Sequence, residues 1–381
     1  MRLRHFEALR PLCPICRRNT GESQPLVLAS VFRRQGDLIV EGVLHCPDLA
    51  CQREYPIVDG IPILVANLRE LLADNLFQVM MRDDLSETLE SILGDCSGPA
   101  SFFDASRHQV SCYARDHYGL LDPTEPLTEP RPGAAQRVLA QGLDLARTWP
   151  EGPVIDLGCS VGGTTFALAE RTGRLVLGVD LNLAMLRVAA LALIRGEVRY
   201  PRKRTGVVYD QRRLPVSFAR AEDVDFWACD VAALPFVEGA FALASILNLI
   251  DCVRAPRDML VEAARVLAPG AAAVISSPYD WSAAATPIET WLGGHSQRGA
   301  AHGDGATVVR AMLAPGTHPA HPAAIPGLRL EAEIDEVPWH VRLHDRSTVG
   351  YAVHLVAARK DADLAPTIDD PPTDRPGAPV E

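Results

Sequence analysis

Two groups of residues in this sequence have side chains at spacings that serve chemistry. Near the start, Cys13-Pro14-Ile15-Cys16 sets two thiols on a tight knuckle, and Cys46-Pro47-Asp48-Leu49-Ala50-Cys51 sets two more on a looser one. Two such knuckles on neighbouring hairpins supply four thiolates, a donor set suited to tetrahedral Zn²⁺. With every position filled by sulfur, such a metal would be structural; the competing reading is four free thiols in a degenerate ribbon. In the middle of the chain, Pro153-Val154-Ile155-Asp156-Leu157-Gly158-Cys159-Ser160-Val161-Gly162-Gly163 runs an apolar strand into a Gly-rich turn. A second apolar run, Arg174–Val179, ends at Asp180. An acidic residue closing the second strand is placed to accept hydrogen bonds from both ribose hydroxyls of an adenosine cofactor.

The turn itself discriminates among cofactors. A dinucleotide site needs G-x-G-x-x-G so that backbone can approach a pyrophosphate. Here Ser160 replaces the middle glycine, and Asp156, two places before Gly158, would repel phosphate. S-adenosylmethionine has no phosphate and carries an amino group and a sulfonium charge, so the turn suits it better. Further on, Phe226–Val231 reads as a third strand with Asp230 at its tip, followed by Leu234-Pro235-Phe236. Ala240–Leu247 reads as the fourth strand, Leu260–Leu267 as a helix closed by Ala268-Pro269-Gly270, and Ala271–Ser276 as the fifth strand. Leu328–Val337 and Tyr351–Ala358 form a closing antiparallel pair.

In order and spacing, residues 134–360 resemble the class I S-adenosylmethionine-dependent methyltransferases. The resemblance implies an α/β, Rossmann-like fold with a mostly parallel seven-stranded sheet. It implies that Asp156, Gly158, Cys159, Gly162, Asp180, Leu181, Asp230 and Val231 contact the cofactor. The alternative is a domain of this fold that binds without catalysing.

The segments that would choose the substrate are Asn248-Leu249-Ile250-Asp251, Ser276-Ser277-Pro278-Tyr279-Asp280-Trp281, Thr286-Pro287 with Trp291-Leu292-Gly293-Gly294, and Val337-Pro338-Trp339-His340-Val341-Arg342-Leu343-His344-Asp345-Arg346. They resemble the methyltransferase domain at the C-terminus of ovothiol synthases, which methylates an imidazole nitrogen of mercaptohistidine. No sulfoxide-synthase portion accompanies them here, so the resemblance implies a small-molecule N-methyltransferase with its substrate open. Methyl transfer from a sulfonium is an in-line displacement whose rate comes mostly from positioning. Asp251, Tyr279 and Asp280 are candidates for fixing the acceptor's tautomer. Asn248, Trp281 and His344 are candidate substrate contacts, and Arg342 and Arg346 a candidate carboxylate clamp. Packing accounts equally well for Trp281, Trp291 and Trp339, and a solvated hairpin loop for Arg342, His344 and Arg346. Tyr113, His117 and Tyr118, upstream of the first strand, suit either a lid helix or ordinary packing.

Around these motifs the chain divides into four segments. Residues 1–67 hold the cysteine pairs and short β-type runs, and after Cys51 comes Glu54-Tyr55-Pro56-Ile57-Val58-Asp59-Gly60-Ile61-Pro62-Ile63-Leu64. This run resembles the small zinc-ribbon family that activates methyltransferases of tRNA, ribosomal RNA and release factors. It departs from that family at the Cys46–Cys51 spacing, which is usually CxxC. Residues 68–133 open on a helical pattern (Leu68, Leu71, Leu72, Leu76) and close in a Pro-rich linker. Residues 134–360 alternate strand and helix patterns. Residues 361–381, with six acidic residues and five prolines, read as a disordered tail.

Composition bounds the rest. The 381 residues carry 37 basic and 48 acidic side chains, a net charge of −11, which weighs against a dedicated nucleic-acid partner. The one contrary stretch is Arg195–Arg213, basic with Tyr200 and Tyr209 interleaved. It suits either a solvated hairpin or an RNA grip, the latter in a macromolecular methyltransferase with its activator fused in cis. No apolar run reaches the roughly 18 residues of a membrane span, and Met1–Glu7 does not read as a secretory leader, so a cytoplasmic protein is expected. The oligomeric state is not legible.

Overall fold

Val154–Leu157, Val176–Val179 and Val224–Cys229 are mostly apolar, broken only by Asp156 and Asp225, and are buried at every position without alternation, as inner strands covered on both faces are. The computed structural model describes residues 1–20, 24–68, 70–71, 98–99, 101–126, 130–314 and 324–362. The predicted helical positions Leu72 and Leu76, and the acidic tail beyond residue 362, lie outside the described residues.

The N-terminal segment comprises α1 (Leu3–Leu9), α2 (Pro14–Thr20), β1 (Val27–Gln35), β2 (Leu38–His45), β3 (Glu54–Val58) and β4 (Ile61–Leu64). Helices α3 (Phe102–Tyr118) and α4 (Ala134–Ala146) follow. Next come β5 (Val154–Leu157), α5 (Gly163–Thr172), β6 (Val176–Asp180), α6 (Leu183–Arg195), a β7–β8 hairpin (Glu197–Thr205, Val208–Pro215) and β9 (Val224–Cys229). The chain finishes with β10 (Phe241–Leu247), α7 (Pro256–Val266), β11 (Leu267–Ser277), α8 (Gly305–Met312), β12 (Leu328–His344) and β13 (Ser347–Lys360).

The strand order is β1-β2-β3-β4-β9-β6-β5-β10-β11-β13-β12. Strands β9, β6, β5, β10 and β11 are parallel, and β13 and β12 close the sheet antiparallel. These seven are the strands the sequence predicts. The sheet as a whole has eleven and is mixed, which corrects the expected seven. Strand β4 pairs parallel to β9 (Ile63 with Ala228, Leu64 with Cys229), so the cysteine-bearing hairpins extend the same sheet. One apolar cluster runs through Cys13, Leu44 and Tyr55 into Trp227 and Phe236. Polar ties follow the same seam: Leu12 N–H donates to the Pro235 carbonyl at 2.7 Å, and Arg2 N–H to Asp225 at 2.6 Å.

Two further differences bear on the site. Strand β11 begins at Leu267, so Ala268-Pro269-Gly270 lies inside a strand and not in the predicted turn. The last hairpin is far longer than expected: β12 runs to His344 and β13 starts at Ser347. Trp339, Arg342 and His344 are therefore strand residues. Cross-strand pairs such as Trp339 with Tyr351 hold this register.

Helix α3 is fixed at both ends. Ser101 caps its start by accepting from Asp104 N–H, and near its end the Asp116 carboxylate accepts from Ala134 and Ala135 N–H, capping α4. The β7–β8 hairpin packs along α3, with Lys203 N–H donating to Ser111 at 2.8 Å and Tyr209 to Asp104 at 2.9 Å. No described helix is long and apolar enough to cross a membrane.

Candidate cofactor cleft and cysteine cluster

Sheet order reverses on either side of β5, which opens a crevice at the carboxyl ends of the strands. A cavity of about 290 Å³ lies there, and its walls include Asp156, Gly158, Ser160, Asp180, Asn182 and Asn248. Helix α3 contributes Gln109, Tyr113 and His117 from across the crevice.

The Gly-rich turn is held by its neighbours. Gly162 has φ +88°, and a Cβ there would stand 2.6 Å from the Phe226 ring and 2.7 Å from Ala189, so only glycine lets the turn sit against the sheet. Asp156 is buried and accepts from Thr164 and Thr165 hydroxyls at 2.7 and 2.8 Å. Burial pushes its carboxyl up to about 6, against the hydroxyl hydrogen bonds that favour the anion. Asp180 accepts Ser160 N–H on one oxygen (2.9 Å) and Asn182 N–H on the other (2.8 Å). Burial raises its pKa as well. Each oxygen keeps a lone pair for a further donor. Asp230 follows β9 and accepts from Ala232 N–H at 2.9 Å; Val231 beside it is buried. Leu181 is exposed beside Asp180, whereas Cys159 is wholly buried.

The predicted substrate-side residues separate. Asn248 stands on the cleft wall at φ +49°, its side-chain oxygen accepting from Ser276 at 2.8 Å. Asp251 is buried behind it and accepts Asp280 N–H at 2.7 Å; burial, then the Asp280 charge, raises its pKa. Asp280 is exposed and accepts from the Tyr351 hydroxyl at 3.1 Å. The Tyr279 hydroxyl meets His354 Nδ1 at 2.7 Å, and His354 Nε2 meets Glu333 at 2.8 Å. That hydroxyl is committed to β13, and Tyr279 is not among the residues lining the cleft. Trp281 stacks on Trp291 with centroids 5.7 Å apart, away from the cleft.

The expected hairpin-loop clamp is replaced by an ion-pair network. Arg342 donates to Glu125 at 2.7 Å and pairs with Asp345, and Arg115 reaches the same glutamate at 2.7 Å. Glu125 is wholly buried, so these guanidiniums neutralise a charge that would otherwise be stranded. His344 accepts from Arg346 N–H at 3.2 Å in the tight turn, and none of Arg342, His344 and Arg346 lines the cleft. The basic hairpin is absorbed the same way. Arg202 and Arg204 pair with Asp345 and Asp210, Arg212 with Asp122, Arg213 with Glu197 and Lys203 with Asp104.

The sequence reading leaves Gln109, Cys252 and Ala285 unassigned, offers Tyr113 and His117 either to a lid helix or to packing, and puts Leu249 and Trp339 in substrate-side segments without a role of their own; all seven line the cleft. Gln109, Tyr113 and His117 recur at every fourth residue, a single helix face that marks them out.

The four cysteine Sγ atoms lie within 4.8 Å of one another, with 3.7 Å between Cys13 and Cys51 and between Cys16 and Cys46. A disulfide needs about 2.05 Å, whereas sulfurs at about 2.3 Å from a tetrahedral zinc stand roughly 3.8 Å apart. Three of the four are buried, and the Tyr55 hydroxyl lies 3.2 Å from Cys13 Sγ. The spacing and the donor set fit a thiolate-bound metal.

Residues 155–275 match a family model described as a methyltransferase domain. The chain carries a methyltransferase domain. Its strand order and Gly-rich turn are those of the class I, Rossmann-like type whose cofactor is S-adenosylmethionine. A curated relative, norajmaline N-methyltransferase of Rauvolfia serpentina, is 27% identical over 167 residues, 42% of this chain and 50% of that protein. The chain thus matches about half the length of that relative. Among solved structures, phosphoethanolamine N-methyltransferase 2 of Haemonchus contortus with S-adenosylmethionine is 19% identical, covering 42% of this chain and 31% of its own, at a TM-score of 0.31. An S-adenosylmethionine-dependent methyltransferase of Methanosarcina mazei is 16% identical, covering 56% and 94%, at a TM-score of 0.36.

Proposed function

We propose that this chain is an S-adenosylmethionine-dependent N-methyltransferase of a small amine or imidazole-type molecule, with a structural zinc in its N-terminal hairpins. The observation that carries the reading is the composition of the cleft. Asp156, Gly158 and Asp180 face Tyr113, His117 and Asn248 across one cavity, and no lysine or arginine is among its lining residues. Such a wall suits a cationic cofactor and a neutral or basic acceptor, and gives an anionic acceptor no charged partner. The activity in the plant relative's name is also N-methylation.

The bound cofactor would supply an electrophilic methyl group on a sulfonium. Asp180 would accept from the ribose hydroxyls with its two remaining lone pairs, and Asp230 with Val231 would flank the adenine. Leu181 would cover the outer edge of the nucleoside. On the other side, Tyr113, Asn248, Cys252 and Trp339 form the wall against which a nitrogen lone pair would be aimed at the methyl. Asp251, held through Asp280 N–H, would steady the Asn248 loop and act on the acceptor only through it. Holding one neutral nitrogen in line is the main demand of this chemistry.

Cys13, Cys16, Cys46 and Cys51 would hold Zn²⁺ as four thiolates, cross-linking hairpins with little core of their own. A reducing cytoplasm is the compartment that suits these free thiols. The macromolecular alternative gains no support from the basic hairpin, whose arginines are turned onto acidic partners.

The test is transfer of labelled methyl from S-adenosylmethionine into a cell extract split by size. Label in the metabolite fraction supports the reading. Label confined to RNA or protein contradicts it.

A further inference from the structure

His117 sits where three elements converge. It is 9% exposed at the end of α3, its carbonyl accepts from the Gln136 side chain of α4 at 2.8 Å, and its Nδ1 receives Gly163 N–H of α5 at 3.0 Å. The approach is so close that a Cβ on Gly163 would stand 2.6 Å from His117 Cβ and 2.8 Å from Nδ1. Nearby, the Tyr118 hydroxyl is tied to the Val161 carbonyl of the same turn. The ring is locked onto the Gly-rich turn.

A backbone N–H can only donate, so Nδ1 must be the bare nitrogen and the proton must sit on Nε2. Burial lowers the pKa of the ring to about 4, so this neutral tautomer persists at neutral pH. Nε2–H has no partner among the described residues, and His117 lines the cleft. A fixed donor that opens on the cleft from a side chain otherwise nine-tenths buried is placed to meet an acceptor of the ligand.

Strand order says which part of the ligand. With adenine over β9 and ribose over β6, the amino-acid end of the cofactor falls over β5, beside the start of α5 and His117. That helix runs ten residues and carries a partial positive charge at its start, where Gly163 N–H is taken by His117 and the Thr164 and Thr165 hydroxyls by Asp156. No lysine or arginine of the cleft lining competes for an anion. We propose that His117 Nε2–H, together with the N-terminus of α5, binds the α-carboxylate of S-adenosylmethionine, so that a neutral tautomer replaces a cationic side chain. The assignment rests on the cofactor reading above.

The experiment is calorimetric titration of S-adenosylmethionine and its decarboxylated analogue into the full chain and into His117→Asn and His117→Gln. Asparagine keeps an acceptor near the Nδ1 position and loses the distal donor, whereas glutamine keeps a donor near Nε2. Wild type is expected to prefer the carboxylate-bearing ligand by about tenfold or more, the range of one hydrogen bond to a charged group. His117→Asn should bring the two ligands within about twofold, chiefly by weakening the carboxylate form, and His117→Gln should restore much of the preference. Equal affinities in wild type, or equal losses for both ligands in His117→Asn, would overturn the assignment. Failure of wild type to bind either ligand would instead overturn the cofactor reading. Should the variants not fold, ¹⁵N resonances of wild-type His117 decide: Nε2 shifts with the carboxylate ligand alone if the assignment is right, and equally with both if it is wrong.

Discussion

On one wall of the cleft, Asp156, Gly158, Ser160, Asp180 and Asn182 all lie in β5 or β6 or within three residues of them. The other wall draws Gln109 and Tyr113 from α3, Asn248 and Cys252 from the loop after β10, and Trp339 from β12, while His117 of α3 reaches back to the cofactor's side. The first wall is made of backbone geometry and short acidic side chains set by contiguous sequence. The second exists only once distant elements have packed. A fold can therefore keep its cofactor side constant and vary its acceptor side, because few residues serve both.

Four substitutions sharpen or break this contrast. The largest effect should come from Gly162→Val, which puts side-chain carbons into Phe226 and Ala189 at a positive φ. It is expected to cost about 2–4 kcal/mol and to abolish cofactor binding, read by thermal melting and calorimetry. Next comes Asp156→Asn. The folded-state carboxyl of Asp156 is raised to about 6 from an ordinary 3.8, so the native protein binds more protons than the unfolded chain between those values. Its burial therefore costs stability as pH rises from about 4 to 6, and the cost, roughly 3 kcal/mol, is fully present at pH 7. The variant should melt higher at pH 7, lose that advantage near pH 4 and bind the cofactor less tightly. An unchanged melting difference across that range would contradict the burial argument.

Arg342→Ala separates the acceptor wall from the hairpin network behind it. Losing one of the cations on buried Glu125, with Arg115 and Arg202 still beside it, should cost about 2 kcal/mol while leaving the acceptor KM within twofold. A large rise in KM at unchanged stability would restore the clamp. Smallest of all is Arg346→Ala, at the exposed turn, expected to change melting by less than about 0.5 kcal/mol and activity not at all.

The same contrast governs what could be read from the sequence. The inner strands, the Gly-rich turn and Asp180 are local patterns whose meaning depends on a dozen neighbours, and their places in the fold follow the expectation. The merging of the cysteine hairpins into the sheet did not show, because Ile63 and Leu64 look alike whether they end a small domain or pair with β9. Arg342 was misread because its partner Glu125 lies more than two hundred residues away, and a strand that continues through Pro338 reads as a loop. Tyr279 looked like a chemical group because nothing near it in sequence announces His354. On α3 the reading reaches Tyr113 and His117 as lid candidates but not Gln109, one turn earlier on the same face.

The most direct test of the cofactor wall is calorimetric binding of S-adenosylmethionine to wild type and to Asp180→Asn, with Arg346→Ala as a folded control. Asparagine replaces one of the two acceptors facing the ribose with a donor. Binding by wild type and the control, with a loss of at least about tenfold in Asp180→Asn, is the expected result. Equal affinity in all three proteins would contradict the placement of the cofactor across the tips of β5, β6 and β9.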